Sequence, residues 1–68
     1  MELKVNGNAK SLSEGTTLAD LLEGMDIRAD TTGIAVAVNE AVVPRQNWRD
    51  TQLRTSDSIE IIRAVQGG

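Results

Sequence analysis

The chain has 68 residues, which is room for one domain with a single small core, and 7 basic and 10 acidic side chains give a formal net charge of −3. It contains no Cys, no His and no Tyr, which leaves no obvious ligands for zinc or copper and excludes Cys-His and Ser-His-Asp catalytic arrangements. With no basic stripe and no apolar run near the roughly 20 residues of a membrane span, we expect a cytoplasmic protein without nucleic-acid or membrane partners. We also expect it to have no catalytic residue and to bind no metal or cofactor of its own.

The first elements predict an N-terminal β-hairpin. Leu3 and Val5 alternate with polar residues, which is the period of a half-buried strand. The run Asn6-Gly7-Asn8 favours a tight turn because Asn and Gly tolerate positive φ. Residues 9–12 then form the returning strand.

A single helix is predicted after this hairpin. Thr17 is placed to cap its N-terminus, with Asp20 three residues later in a capping-box position. Gly24 is expected to help end the helix. One apolar stripe follows the helical period: Leu18, Leu21, Leu22 and Met25. Because a domain of this size cannot spare its only helix, the stripe is predicted to pack into the core.

The middle of the chain predicts a loop, a second hairpin and a short irregular segment. Residues 26–33 are polar and indicate a loop, and residues 34–38 are apolar on both faces, which is typical of a strand with neighbours on both sides. Residues 41–43 form a short return strand, stopped by Pro44. Residues 44–50 are expected to be a loop or a short turn of helix, with Trp48 against the edge of the core. Leu53 is predicted to be a core residue.

The last strand is predicted over residues 58–65. Its alternation places one set of side chains on one face: Ile59, Ile61, Arg63 and Val65. The other face carries Glu60, Ile62 and Ala64. The element order predicts an α+β fold in which a helix lies across one face of a mixed four- or five-stranded sheet. The first and last strands are expected to lie side by side as a parallel pair.

Two glycines end the printed sequence. We predict a single domain over residues 1–65 and a flexible tail of Gln66, Gly67 and Gly68. Terminal residues are often only frayed. However, Gly-Gly has no Cβ and can enter a narrow channel, and four extended residues reach roughly 13 Å. The tail is therefore also a candidate for insertion into a partner's active site.

Several segments together resemble the sulfur carriers of thiamine biosynthesis, which are ubiquitin-like members of the β-grasp superfamily. The resemblance covers essentially the whole chain, and its most specific part is the Val-Asn-x-x-x-Val-Pro-Arg-x-x-Trp segment, residues 38–48. Further matching stretches are residues 1–7, 17–22, 35–39 and 57–62, and Gly67-Gly68. One departure is Ser56, where the family commonly has Gly before the Asp of that turn.

This resemblance implies a β-grasp fold and a covalent carrier rather than an enzyme. It implies that an adenylyltransferase like the ubiquitin-activating enzymes uses ATP and magnesium to adenylate Gly68, with Gly67 and Gln66 forming the approach. Sulfur relayed from a cysteine desulfurase or sulfurtransferase then leaves a thiocarboxylate, which thiazole synthase consumes. The activation agrees with elementary chemistry, because an α-carboxylate is ionised at neutral pH and needs a leaving group before a nucleophile can attack it.

A docking surface beside the tail is also expected. If the helix covers Ile59 and Ile61, then Glu60, Ile62 and Ala64 face outward, and Ile62 is either a partner anchor or a partly covered sheet residue. Arg45 and Arg63 are either partners for acidic groups or solvated side chains. Alternatives of function are a carrier resembling the small subunit of molybdopterin synthase, a ubiquitin-like conjugator to lysines, and a non-covalent β-grasp binding module.

Overall fold

The computed structural model describes residues 1–64 and contains a five-stranded sheet, one α-helix and one 3-10 helix. The elements in chain order are β1 Glu2–Val5, β2 Asn8–Ser11, α1 Leu18–Glu23, β3 Ile34–Val38, β4 Ala41–Val42, the 3-10 helix Arg45–Asp50 and β5 Ser58–Arg63. The strands lie in the order β2-β1-β5-β3-β4. The predicted α+β fold is confirmed, whereas the proposed domain boundary at residue 65 and the tail 66–68 lie outside the described residues.

The sheet is mixed, and β5 is its central strand. β5 pairs in parallel with β1 at Ser58 and Ile59, which confirms the predicted parallel pair. On its other side β5 runs antiparallel to β3, from the pair of Ile59 with Val38 to the pair of Arg63 with Ile34. β3 lies between β5 and β4, so it has neighbours on both sides, as its apolar sequence predicts.

The core lies between α1 and one face of the sheet. Leu18, Leu21 and Leu22 of the predicted stripe are buried, while Met25 lies beyond the helix and packs at the core margin. The sheet and the irregular segments contribute the remaining buried side chains: Leu3, Val5, Ile27, Val36, Trp48, Leu53, Ile59 and Ile61. The prediction of a core position for Leu53 is confirmed, whereas sequence reasoning missed Ile27.

Two tight turns attach both hairpins to β5. Asn6 and Gly7 have φ of 52° and 84°, and Asn39 and Glu40 have φ of 52° and 72°. Positive φ at both central residues matches the twist of a two-residue hairpin. The Ile61 amide donates to Oδ1 of Asn6 over 2.8 Å, and the Ser58 amide donates to Oδ1 of Asn39 over 2.9 Å. Each turn therefore fixes the central strand through an Asn side chain.

The helix has a chemically defined start and end. Oγ1 of Thr17 accepts the Asp20 amide at 3.1 Å, and a carboxylate oxygen of Asp20 accepts the Thr17 amide at 3.2 Å, which is the predicted capping box. At the other end, the Ile27 amide donates to the carbonyl of Leu22 over 2.9 Å and Asp26 has φ of 64°. This is a Schellman arrangement, and it brings Ile27 onto Leu22.

The prediction that Gly24 lies at the helix end is confirmed, because it is the C-cap residue of α1. Gly24 keeps right-handed helical angles, with φ of −63°. The chain reverses two residues later at Asp26, which occupies the left-handed position itself.

The 3-10 helix follows Pro44, as the sequence predicts for a short turn of helix. Its Trp48 is buried, and the indole N–H donates to the carbonyl of Val43 over 2.9 Å. This bond satisfies the only polar atom of the indole inside the core. No helix among residues 1–64 is long and apolar enough to cross a membrane.

β5 ends at Arg63, two residues before its predicted end. The cause is the neighbouring strand: β3 begins at Ile34, and Gly33 before it has φ of 73°, which is incompatible with a regular strand. Ala64 therefore follows the strand, and Val65 lies outside the described residues. The predicted return strand likewise ends one residue early, at Val42.

Candidate functional site

The end of β5 projects past the N-terminal hairpin. β5 pairs with β1 only at Ser58 and Ile59, and residues 60–63 pair with β3 alone. On the β1 side, the Asn6 turn takes the place of a strand partner at Ile61. The chain thus leaves the sheet from its central strand, at the end where the first hairpin stops.

Ala64 is the last described residue, and it is held to the start of β3. Its amide donates to the carbonyl of Gly33 over 2.7 Å. A Cβ at Gly33 would lie 3.6 Å from the Cβ of Ala64, an ordinary contact, so the positive φ and not a lack of space favours glycine here. The last described residue is therefore anchored to the loop that precedes β3.

The predicted docking residues lie on one face beside this exit. Glu60, Ile62 and Ala64 are exposed, while Ile59 and Ile61 point into the core. Ile62 is 59% exposed, so its predicted outward orientation is confirmed. Its role as a partner anchor stays a prediction.

The exposed apolar surface on this face is larger than the sequence indicates. Val42 is 73% exposed and pairs with Ala37, which also pairs with Glu60. Ala35 pairs with Ile62, so the two alanines of β3 lie between the two larger side chains. We call these four residues, Val42, Ala37, Ala35 and Ile62, the sheet-face patch. Neighbouring exposed apolar side chains of this kind make the patch a candidate interaction site.

Arg45 is engaged within the domain instead of being free in solvent. Its guanidinium donates to the carbonyl of Ala29 over 2.7 Å and to that of Ile34 over 3.4 Å, and it lies 5.3 Å from the centre of the Trp48 ring. The interpretation of Arg45 as a solvated side chain is therefore wrong. Arg63 is exposed at the end of β5.

The largest described groove has a mixed charged lining. An open groove of about 860 Å³ lies between α1 and the 3-10 helix, and its charged lining consists of three arginines and three acids: Arg28, Arg45, Arg49, Glu23, Asp30 and Asp50. Since the two signs balance, the groove selects neither an anion nor a cation. Within residues 1–64, no three side chains of the metal-ligating acidic, imidazole or thiolate types form a cluster.

The fold and the site define a small ubiquitin-like carrier protein of the β-grasp type, with a central strand that leads out beside an exposed apolar face. Comparison with known proteins agrees: the model of the ThiS family matches residues 3–68. The sulfur carrier protein ThiS of Escherichia coli K12 is 32% identical over 68 residues, covering 100% of both chains. The crystal structure of the thiamine biosynthesis protein ThiS from Geobacter metallireducens matches with a TM-score of 0.81 and 26% identity, again over 100% of both chains.

The chain therefore belongs to the ThiS family, and the predicted sulfur carrier of thiamine biosynthesis is confirmed at the level of the family. A thiazole synthase of Magnetococcus marinus is also similar, with 34% identity over 68 residues, which is 100% of this chain and 20% of that protein. About a fifth of that synthase thus resembles the whole of this chain.

Proposed function

We propose that the chain carries sulfur as a thiocarboxylate on Gly68, with Gly68 as its terminal residue. Membership of the ThiS family supports this proposal. The single structural observation that carries it is the position of β5, the central strand, whose end lies past the first hairpin beside an exposed apolar face. If extended, the four residues after Ala64 reach roughly 13 Å, which brings Gly68 into a partner's active site while the domain stays outside.

The chemistry requires an activating partner. The carboxylate oxygen of Gly68 attacks the α-phosphorus of ATP, and pyrophosphate leaves. The product is an acyl adenylate, a mixed anhydride in which the carboxylate has lost its negative charge and AMP is a good leaving group. Sulfide then attacks the carbonyl carbon and displaces AMP. In the cell, we expect the sulfur to come from a persulfide of a cysteine desulfurase or sulfurtransferase. The terminal persulfide sulfur then attacks the carbonyl carbon and AMP leaves. A further thiol cleaves the S–S bond of the resulting acyl disulfide, which releases the thiocarboxylate while that thiol is oxidised to a disulfide. The chain contributes no side chain to these steps and acts as a co-substrate, which fits a sequence without Cys or His.

The activating partner is an adenylyltransferase of the ubiquitin-activating kind, and it supplies the ATP and magnesium sites. We place its docking contact on the sheet-face patch together with Glu60 and Ala64. Ile62 and Val42 offer apolar area that is exposed in the free domain, and the acidic Glu60 lies beside them as a polar rim. Contacts of this composition, an apolar centre with charged edges, are usual in transient interfaces.

Thiazole synthase is the proposed recipient of the sulfur. The Magnetococcus marinus synthase supports this assignment, because a segment similar to the whole of this chain lies within the same polypeptide. Direct transfer of sulfur between a carrier and an acceptor is favoured when both are part of one polypeptide, because the two then stay close together. The proposal also places the protein in the cytoplasm, where ATP is available for the activation step.

An intact-mass experiment tests the proposed function. The protein is incubated with the adenylyltransferase, ATP, magnesium and sulfide, and a gain of about 16 Da is expected because one oxygen is replaced by sulfur. The control is the same protein without Gly68, which should not change. A protein that never gains this mass would fit the non-covalent binding module, and higher-mass adducts with other proteins would fit the lysine conjugator.

Transfer to the recipient gives a second readout. The sulfur-loaded protein should return to its original mass when thiazole synthase and its substrates are added. Loss of sulfur only to the large subunit of molybdopterin synthase would identify the alternative recipient instead.

A further inference from the structure

The loop that precedes β3, residues 28–33, connects the core to the exit of the tail. It begins directly after the buried Ile27 and ends at Gly33, whose carbonyl accepts the Ala64 amide over 2.7 Å. The loop contains one internal turn, in which the Arg28 amide donates to Oγ1 of Thr31 over 2.9 Å. Hydrogen bonds from outside the loop supply its other described restraints.

Arg45 donates hydrogen bonds of this kind. Its guanidinium donates to the carbonyl of Ala29 near the start of the loop and to the carbonyl of Ile34 just after it. The two bonds therefore bridge the ends of the loop, and Gly33 lies between them. Arg45 itself is half-buried, and its guanidinium carbon lies over the ring of Trp48, 5.3 Å from the ring centroid. A planar guanidinium presents several N–H donors in a fixed fork and a flat face that stacks on an aromatic ring, whereas an ammonium is a compact charge on a single donor atom.

We propose that Arg45 is a positioning residue for the sulfur-carrying tail. It holds loop 28–33 so that the Gly33 carbonyl fixes Ala64, and Ala64 sets the direction in which the following residues leave the sheet. This inference rests on the proposed function of Gly68, but its structural part concerns only residues 29–64. Its side-chain contacts among the described residues are with Ala29, Ile34 and Trp48, none of which belongs to the sheet-face patch proposed for docking.

Loss of Arg45 should therefore affect the reaction at Gly68 but not the docking of the domain on the adenylyltransferase. If Arg45 acts through the tail exit, its loss misplaces the carboxylate in the adenylyltransferase without weakening the contact of the sheet face. Small misplacements of a reacting group lower rates by as much as about 100-fold. A residue that contacts the partner directly changes KM instead.

Two substitutions of Arg45 and one matched control test the proposal. Arg45→Met keeps the length of the stem but removes every donor and the charge, and Arg45→Lys keeps the charge with a single donor centre. Arg49→Met is the control, because Arg49 lies on the same 3-10 helix and makes no side-chain hydrogen bond or ion pair with residues 1–64. Thermal unfolding establishes the temperature at which all variants are folded.

The first readout is amide hydrogen exchange followed by NMR. In Arg45→Met, the exchange of the Ala64 amide should accelerate about tenfold or more, while the amides of Leu22 and Ile59 in the core keep their wild-type rates. Arg45→Lys should lie between wild type and Arg45→Met, and Arg49→Met should match wild type. An Ala64 amide that exchanges at the same rate in Arg45→Met as in wild type overturns the structural part of the inference.

The second readout is the kinetics of thiocarboxylate formation with the carrier as the varied substrate. For Arg45→Met we expect kcat to fall by about 10- to 100-fold while KM stays within about twofold. An unchanged kcat, or a raised KM with kcat preserved, contradicts the inference. If wild type itself gains no sulfur, the proposed function fails, and the Ala64 exchange rates still decide whether Arg45 holds the exit of the chain.

Discussion

If the sheet-face patch is the docking surface, the substitution Ile62→Ala should weaken binding to the adenylyltransferase. This side chain is 59% exposed in the free domain. Complete burial of an isoleucine contributes about 1.5–3 kcal/mol, so covering the part that remains exposed contributes about 0.9–1.8 kcal/mol. Ile62→Ala removes most of that area. We therefore expect the dissociation constant for the adenylyltransferase to rise by about 4- to 20-fold.

The free energy of unfolding should change by no more than about 1 kcal/mol, because the exposed side of Ile62 packs on little else than its strand neighbours. The preference of a strand for isoleucine over alanine is within about 1 kcal/mol. Isothermal titration calorimetry measures the binding, and urea unfolding measures the stability of the same variant. Lys4→Ala is the control, since Lys4 is exposed on the same face but lies on the other side of β5, next to Ser58.

Two outcomes would refute the docking assignment. One is a folded Ile62→Ala variant that binds the adenylyltransferase as tightly as wild type. The other is an equal loss of affinity in Lys4→Ala. That result would show that any change of the sheet face weakens binding, and that apolar contact at the patch is not the cause.

Three further predictions concern the fold that presents the tail. Asn6→Ala removes the acceptor of the Ile61 amide and should lower the free energy of unfolding by about 1–3 kcal/mol in urea titrations, whereas Asn6→Asp keeps an oxygen there and should lose clearly less. Thr17→Ala breaks the capping box and should cost about 1 kcal/mol, seen as a lower Tm; a Tm equal to wild type would show that the cap does not contribute. Leu22→Ala leaves a cavity in the core and should cost about 2–5 kcal/mol, so a loss below 1 kcal/mol in urea would contradict its central packing.

Local chemistry made much of the fold predictable from the sequence. The turn at Asn6-Gly7 needs positive φ, and the capping box needs Thr17 and Asp20 at a spacing of three. Both features depend on residues that are close in the chain. The alternation along β5 likewise predicts which of its side chains face solvent, and the exposure of Ile62 follows from it.

Features without a recognisable sequence pattern were missed. Ile27 stands alone in a polar stretch without any period, and only the Schellman arrangement at Asp26 returns it to the core. The sheet-face patch requires the register of β3 with both β4 and β5, which the sequence does not specify. The contacts of Arg45 with two carbonyls cross the gap between a loop and the 3-10 helix, and no sequence pattern signals them.

The sulfur chemistry of the tail does not follow from the composition of the chain. Composition excludes most side-chain catalysis, and the two glycines suggest a channel, but neither identifies sulfur. That assignment comes from the resemblance of the whole chain to a family, and membership of the ThiS family confirms it. Which residue holds the sulfur is still a proposal for Gly68.

The central claim is that sulfur resides on the carboxylate of Gly68, and fragmentation of a tryptic peptide tests it most directly. Cleavage after Arg63 releases a five-residue peptide, residues 64–68. After incubation with the adenylyltransferase, ATP and sulfide, this peptide should be heavier by about 16 Da, with the added mass confined to the fragment that contains Gly68. Added mass on any other residue, or an unmodified peptide from a protein that has gained sulfur, would contradict the account.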